Sequence, residues 1–150
     1  MPRENRVIAG RARRYGSPMP QVTQVRQVQV TFDCAEPAKV ARFWCEVLGY
    51  RIAPSAEGED SWSACEDPTG VGPRLYFQRV PEGKAVKNRV HLDVRVGTGL
   101  VGQERLAALE AECARLVALG ATHVRTLYAD AENESCILMR DVEDNEFDLD

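Results

Sequence analysis

No stretch of this sequence approaches the roughly 18 consecutive apolar residues that a membrane-spanning helix needs, so a transmembrane segment is excluded. Histidine is scarce: His91 and His123 are the only two, which confines imidazole chemistry to two positions. The five cysteines, at positions 34, 45, 65, 113 and 136, form no CxxC pair, and their number is odd. That pattern excludes a disulfide framework and points to reduced thiols in a cytoplasm, most of them packed as small hydrophobes. The chain has no phosphate-cradling glycine loop, no nucleophile elbow and no interleaved basic and aromatic surface. These absences remove the commonest phosphoryl-transfer and acyl-transfer scaffolds, and they argue against a nucleic-acid partner.

What the sequence does have is enough length for one real core, 150 residues, with an uneven charge. The net charge is −4, but the first eighteen residues carry five arginines against one glutamate, leaving the remainder at −8. Residues 1–21 read as a basic, flexible extension, and Met19 opens "MPQVTQVRQVQV" in the manner of a domain start. From Val22 to Phe32, apolar Val28, Val30 and Phe32 alternate with Gln27, Gln29, Thr31 and Asp33, the period of a half-buried strand. Pro37 then suits a first helical position, and Val40, Phe43, Trp44, Val47 and Leu48 form one apolar face that Gly49 ends. "YRIAP", "SWSACE" and "PRLYFQRV" follow as short strands between turn signals such as "EDPTG".

The second half repeats this plan. "RVHLDVRV" reads as a strand, and the segment 102–120 as a helix facing inward through Leu106, Leu109, Cys113 and Leu116. "THVRT", "ESCILMR" and "EFDLD" complete the set as strands. An ordered repeat in so small a chain indicates a duplicated βαβββ unit. Module one is expected over 22–80, a linker over 81–88 and module two over 89–150.

With "FWCEVLGY" closing the first helix, "NRVHLDVRV" opening the second module and "RDVEDNEFDLD" at the end, the chain resembles the vicinal oxygen chelate superfamily, in its glyoxalase-like branch. The resemblance implies an α+β fold in which two βαβββ modules form curved mixed sheets around a cavity, with the helices on the convex side. Alternation then decides which side chains face the cavity. On the fifth strand Val90, Leu92, Val94 and Val96 turn to the helix, leaving His91, Asp93 and Arg95 on the other face. Thr31, Trp62, Tyr76 and Gln78 are cavity-lining candidates with Asp93, and Glu146 and Asp148 come from the last strand.

In metal-dependent relatives four residues hold a divalent ion, and the matching positions here are Gln29, Tyr76, His91 and Asp148. Gln29, His91 and Asp148 are chemically plausible ligands for Zn, Ni, Mn or Fe, whereas a Tyr76 phenol with a pKa near 10 is a poor one. The resemblance implies a metal-dependent lyase or isomerase in which Asp148 or Glu146 moves a proton. The missing acidic ligand argues against classical glyoxalase I, and the single matching histidine against an extradiol dioxygenase. The alternative is a metal-free protein of the bleomycin-resistance type that sequesters a small molecule. A small-molecule ligand, no nucleic acid, no membrane, a cytoplasmic location and a homodimer are the remaining expectations. His123, on an outer strand, reads as solvated.

Overall fold

Period-two alternation and the two amphipathic helices settle the secondary structure of the computed structural model, which describes residues 24–150. The basic extension and Val22 and Thr23 of the expected first strand lie outside the described residues. The elements run β1 (Gln29–Cys34), α1 (Pro37–Leu48), β2 (Arg51–Ile52), β3 (Trp62–Glu66), β4 (Arg74–Arg79), β5 (Asp93–Val94), α2 (Gly102–Ala118), β6 (Thr122–Leu127), β7 (Cys136–Arg140) and β8 (Glu146–Leu149). They form two mixed four-stranded sheets ordered β1-β4-β3-β2 and β5-β8-β7-β6, with β1 parallel to β4, β5 parallel to β8 and the other pairs antiparallel. The βαβββ plan is therefore present twice, as the repeat predicts, in an α+β fold whose sheets do not close into a barrel.

Two strands are shorter than the alternation suggests. β1 starts at Gln29 rather than Val22, because its partner β4 starts at Arg74, opposite Gln29, and Pro73 ahead of it has no N–H to extend the ladder. Val25 and Val28 are accordingly exposed. β5 pairs only at Asp93 and Val94, although the Leu92 and Val94 carbonyls also accept from the Asp148 and Asp150 N–H groups. No backbone hydrogen bond joins β5 to β1 among the described residues, so Arg89, Val90 and His91 have no ladder on that side. Leu92, Val94 and Val96 do pack toward the core, but Val90 is 78% exposed, contrary to its expected place under the helix.

One core serves both modules. Trp44 of α1 is fully buried, its ring 5.3 Å from Phe32 of β1 and 5.2 Å from Phe147 of β8. Its indole N–H donates to the buried Asp141 carboxylate at 3.0 Å, which ties the first helix to the last turn. That turn also braces the entry to the helix: the Glu143 carboxylate accepts the Ala35 and Glu36 N–H groups at 2.8 and 2.6 Å, just ahead of Pro37, and its charge lies near the positive end of the helix dipole. In α2, Arg105 is as buried as the apolar face beside it. Its guanidinium donates to the Ser135 and Gly97 carbonyls and to the Asp150 carboxylate.

Candidate functional site

Strand pairing places the polar face of module two. Asp93 sits opposite Asp148, and Asp148 opposite Leu138, so the three side chains share the face turned away from α2. His91, two residues before Asp93, reaches the same spot: its Nε2 lies 3.2 Å from an Asp93 oxygen and 3.3 Å from an Asp148 oxygen. One ligand atom from each of His91, Asp93 and Asp148 falls within 4.8 Å of the others. Burial pushes the Asp148 carboxyl above its ordinary range, His91 works against that rise, and the neighbouring Asp93 charge adds to it.

Glu146, next along the same face, is committed differently. Its carboxylate accepts the Asn88 N–H at 3.0 Å and pairs with the Lys84 ammonium at 3.0 Å. Burial opposes ionisation, but the Asn88 N–H and Lys84 outweigh it and bring the carboxyl down to about 2. Glu146 thus anchors the inter-module linker to β8.

A cavity of about 600 Å³ opens beside the cluster. Its floor is Leu138 and Val124, its rim is the linker from Lys84 to Lys87 with Arg140, and His91, Glu146 and Asp148 line its acidic side. A narrower groove of about 360 Å³ separates Val30–Asp33 of β1 from residues 88–92 and is floored by Trp44; Thr31 and His91 both border it.

The module-one residues lie apart from the cluster. The Gln29 amide oxygen accepts from the Arg74 guanidinium at 2.6 Å, and Gln29 lines a separate cavity with Arg26, Glu66 and Asp67 that does not include His91. Tyr76 stands mid-sheet between Thr31 and Ala64, and Trp62 opposite Gln78. The Trp62 and Tyr76 rings stack at 5.4 Å and 16°, with Arg74 over Tyr76. His123 lies at a bulge in β6, its Nε2 3.0 Å from Thr126 Oγ1, and exposed. Burial raises the thiols of Cys34 to about 12 and Cys136 to about 11, so neither is a thiolate near neutral pH.

One imidazole nitrogen and two carboxylates are a donor set that divalent Mn, Fe, Zn or Ni accepts, and three protein ligands leave positions for water or substrate. Asp93 enters this set where the family resemblance points to Gln29. The signal for it is the His-x-Asp spacing, which on a strand puts both side chains on one face. Lys87 and Arg140 are further cavity residues: Lys87 lies outside the quoted motifs, and Arg140 opens "RDVEDNEFDLD" without being singled out there. Only the register of β7 against β8 brings Arg140 to this face.

The duplicated βαβββ plan with its two mixed four-stranded sheets is the fold of the vicinal oxygen chelate superfamily. The model of the glyoxalase-like domain family matches residues 29–149, and the chain belongs to that family. No curated protein matches it by sequence. Among solved structures it is similar to a glyoxalase/bleomycin resistance protein/dioxygenase family enzyme from Burkholderia phytofirmans PsJN. The TM-score is 0.60 at 15% identity, covering 81% of this chain and 94% of that one. It is also similar to a mutant of the fosfomycin resistance protein FosX from Listeria monocytogenes, complexed with Mn(II) and 1S,2S-dihydroxypropylphosphonic acid. There the TM-score is 0.62 at 11% identity, covering 84% and 90%. A possible glyoxalase from Bacillus cereus gives 0.56 at 12% identity, covering 84% and 98%.

Proposed function

We propose that the protein is a divalent-metal-dependent enzyme acting on a small molecule, a lyase or isomerase, with His91, Asp93 and Asp148 as the residues that hold the ion. The observation that carries this reading is the convergence of one imidazole nitrogen and two carboxylates within 4.8 Å beside a cavity of about 600 Å³. The FosX neighbour, complexed with Mn(II), supports a divalent ion in this fold. Such an ion supplies Lewis-acid polarisation of a substrate oxygen. Asp148, partly withdrawn from water, is the group that accepts or returns a proton, while Glu146 holds the linker in place as the cavity wall. Gln29 is the fourth ligand in this reading, released from Arg74 when the face of the first sheet is brought against the cluster.

A homodimer provides that closure: both inner faces are open, and exposed Val28, Val90 and Val124 border them. Five free thiols support a reducing, cytoplasmic setting. Metal analysis of protein purified without an affinity tag tests the reading: about one divalent ion per chain is expected, and none in His91→Ala. The absence of a stoichiometric ion from both proteins would reject it.

A second reading, a ligand-sequestering protein without chemistry, is favoured by the stacked Trp62 and Tyr76 rings with Arg74 above them, a surface suited to a planar ligand. Stabilisation of metal-free protein by aromatic ligands, lost in Trp62→Ala, is its expected signature in a thermal-shift screen. Stabilisation by divalent ions alone speaks against it.

A further inference from the structure

Arg140 is the side chain whose position the fold leaves unexplained. It stands at the C-terminal end of β7, a central strand, directly opposite Glu146 of β8, and both line the cavity beside His91 and Asp148. Opposite charges in that register ordinarily pair across the strands. Here they do not, because the Glu146 carboxylate is turned to the linker, where it takes the Asn88 N–H and the Lys84 ammonium. The other carboxylates nearby in sequence are committed as well. Asp141 accepts from Trp44, from Asn145 and from the Glu143 N–H, and the Glu143 carboxylate accepts the Ala35 and Glu36 N–H groups just before the first helix. Asp144 shares the cavity wall with Arg140 and forms no ion pair with it among the described residues. The guanidinium, with its five donors, is left exposed at the cavity without a partner among the described residues.

A second cation, Lys87, which forms no ion pair among the described residues, lines the same cavity from the linker. Between the cations and the His91 cluster, Leu138 and Val124 form an apolar floor. Arg140 is two residues along and one strand across from Asp148, which separates their Cα atoms by roughly 8 Å. A molecule that touches both ends is therefore small.

We infer that the cavity takes a small organic carboxylate, its anionic end held by Arg140 with Lys87 beside it and its other end directed to the His91, Asp93 and Asp148 cluster. Arg140 suits this role because its planar fork matches a carboxylate with two parallel hydrogen bonds. The placement of the reacting end rests on the function proposed above; the carboxylate pocket at Arg140 does not require a metal.

The experiment follows amide shifts of metal-stripped, full-length protein during titration with malonate, with neutral malonamide as the control. Saturable shifts at Leu138, Arg140, Lys87 and His91 with malonate, absent with malonamide, are expected. Arg140→Gln weakens malonate binding by on the order of tenfold, Arg140→Lys recovers part of the loss, and the remote surface change Arg51→Gln leaves binding unaltered. No saturable shift, an equal response to malonamide, or undiminished binding by Arg140→Gln overturns the inference. A parallel Mn²⁺ titration of Arg140→Gln separates the two readings. Retained Mn²⁺ broadening at His91 with lost malonate binding supports both, whereas malonate binding that depends on Arg140 without any Mn²⁺ response removes the metal and keeps the carboxylate.

Discussion

Asp67 and Asp141 occupy matching turns, one in each module, and each holds its loop closed with a carboxylate. Asp67 accepts the N–H groups of Gly72 at 2.6 Å, Thr69 at 2.7 Å and Val71 at 3.2 Å, together with the Thr69 hydroxyl. The Gly72 N–H is the largest of several influences that lower its carboxyl from 3.8 to about 2. Since the folded value lies below the unfolded one, this contribution to stability is complete above pH 3.8 and is lost as pH falls through about 2. Asp67→Asn is therefore less stable than the parent at pH 7, and the gap in urea midpoints narrows between those two pH values. Trp44→Phe keeps most of the buried ring but removes a donor from Asp141. A loss of about 1–2 kcal/mol in urea unfolding is expected, because Asn145 still donates to the same oxygen. At this scale the sequence points to His91 and Asp148 through their place in the repeat. It says nothing of where Gln29 turns, because the Arg74 guanidinium that captures it comes from a residue 45 positions away.

Among the elements, the helices were the most legible, since a period of 3.6 residues ending at a glycine is a local signal. Gly49 adopts a φ of 68° after α1, a left-handed conformation that glycine accepts without strain. The periodicity of α2 points to an apolar face of Leu106, Leu109, Cys113 and Leu116, yet Arg105 is buried and Leu106 only half-buried. Hydrophobic patterning cannot anticipate an arginine that satisfies its charge inside, on two carbonyls and the Asp150 carboxylate 45 residues away. Arg105→Leu leaves those acceptors without their donor, and a loss on the order of 3 kcal/mol in chemical denaturation is expected. Strand ends were less legible than helix ends because they depend on partners distant in sequence: β1 stops at the Pro73 boundary of β4, and β5, an edge strand with no second neighbour among the described residues, pairs with β8 over two residues only.

For the molecule as a whole, two similar modules share a single core through Trp44 and Phe147 while each keeps an inner face open. The repeat makes that architecture readable, whereas the contacts that hold its two halves together, such as Trp44 with Asp141, form only in the folded state. Sedimentation equilibrium is expected to show a dimer, and charging the border with Val28→Glu and Val90→Glu to shift it toward monomer without unfolding. The central claim is that His91, Asp93 and Asp148 hold a divalent ion. A titration of metal-stripped, tag-free protein with Mn²⁺, followed by the electron paramagnetic resonance signal of free Mn²⁺, tests it most directly. One saturable ion per chain, abolished in His91→Ala and weakened at least tenfold in Asp148→Asn, is the predicted result. A free-ion signal that rises in proportion to added Mn²⁺ from the first addition, in the parent as in the variants, would contradict the account.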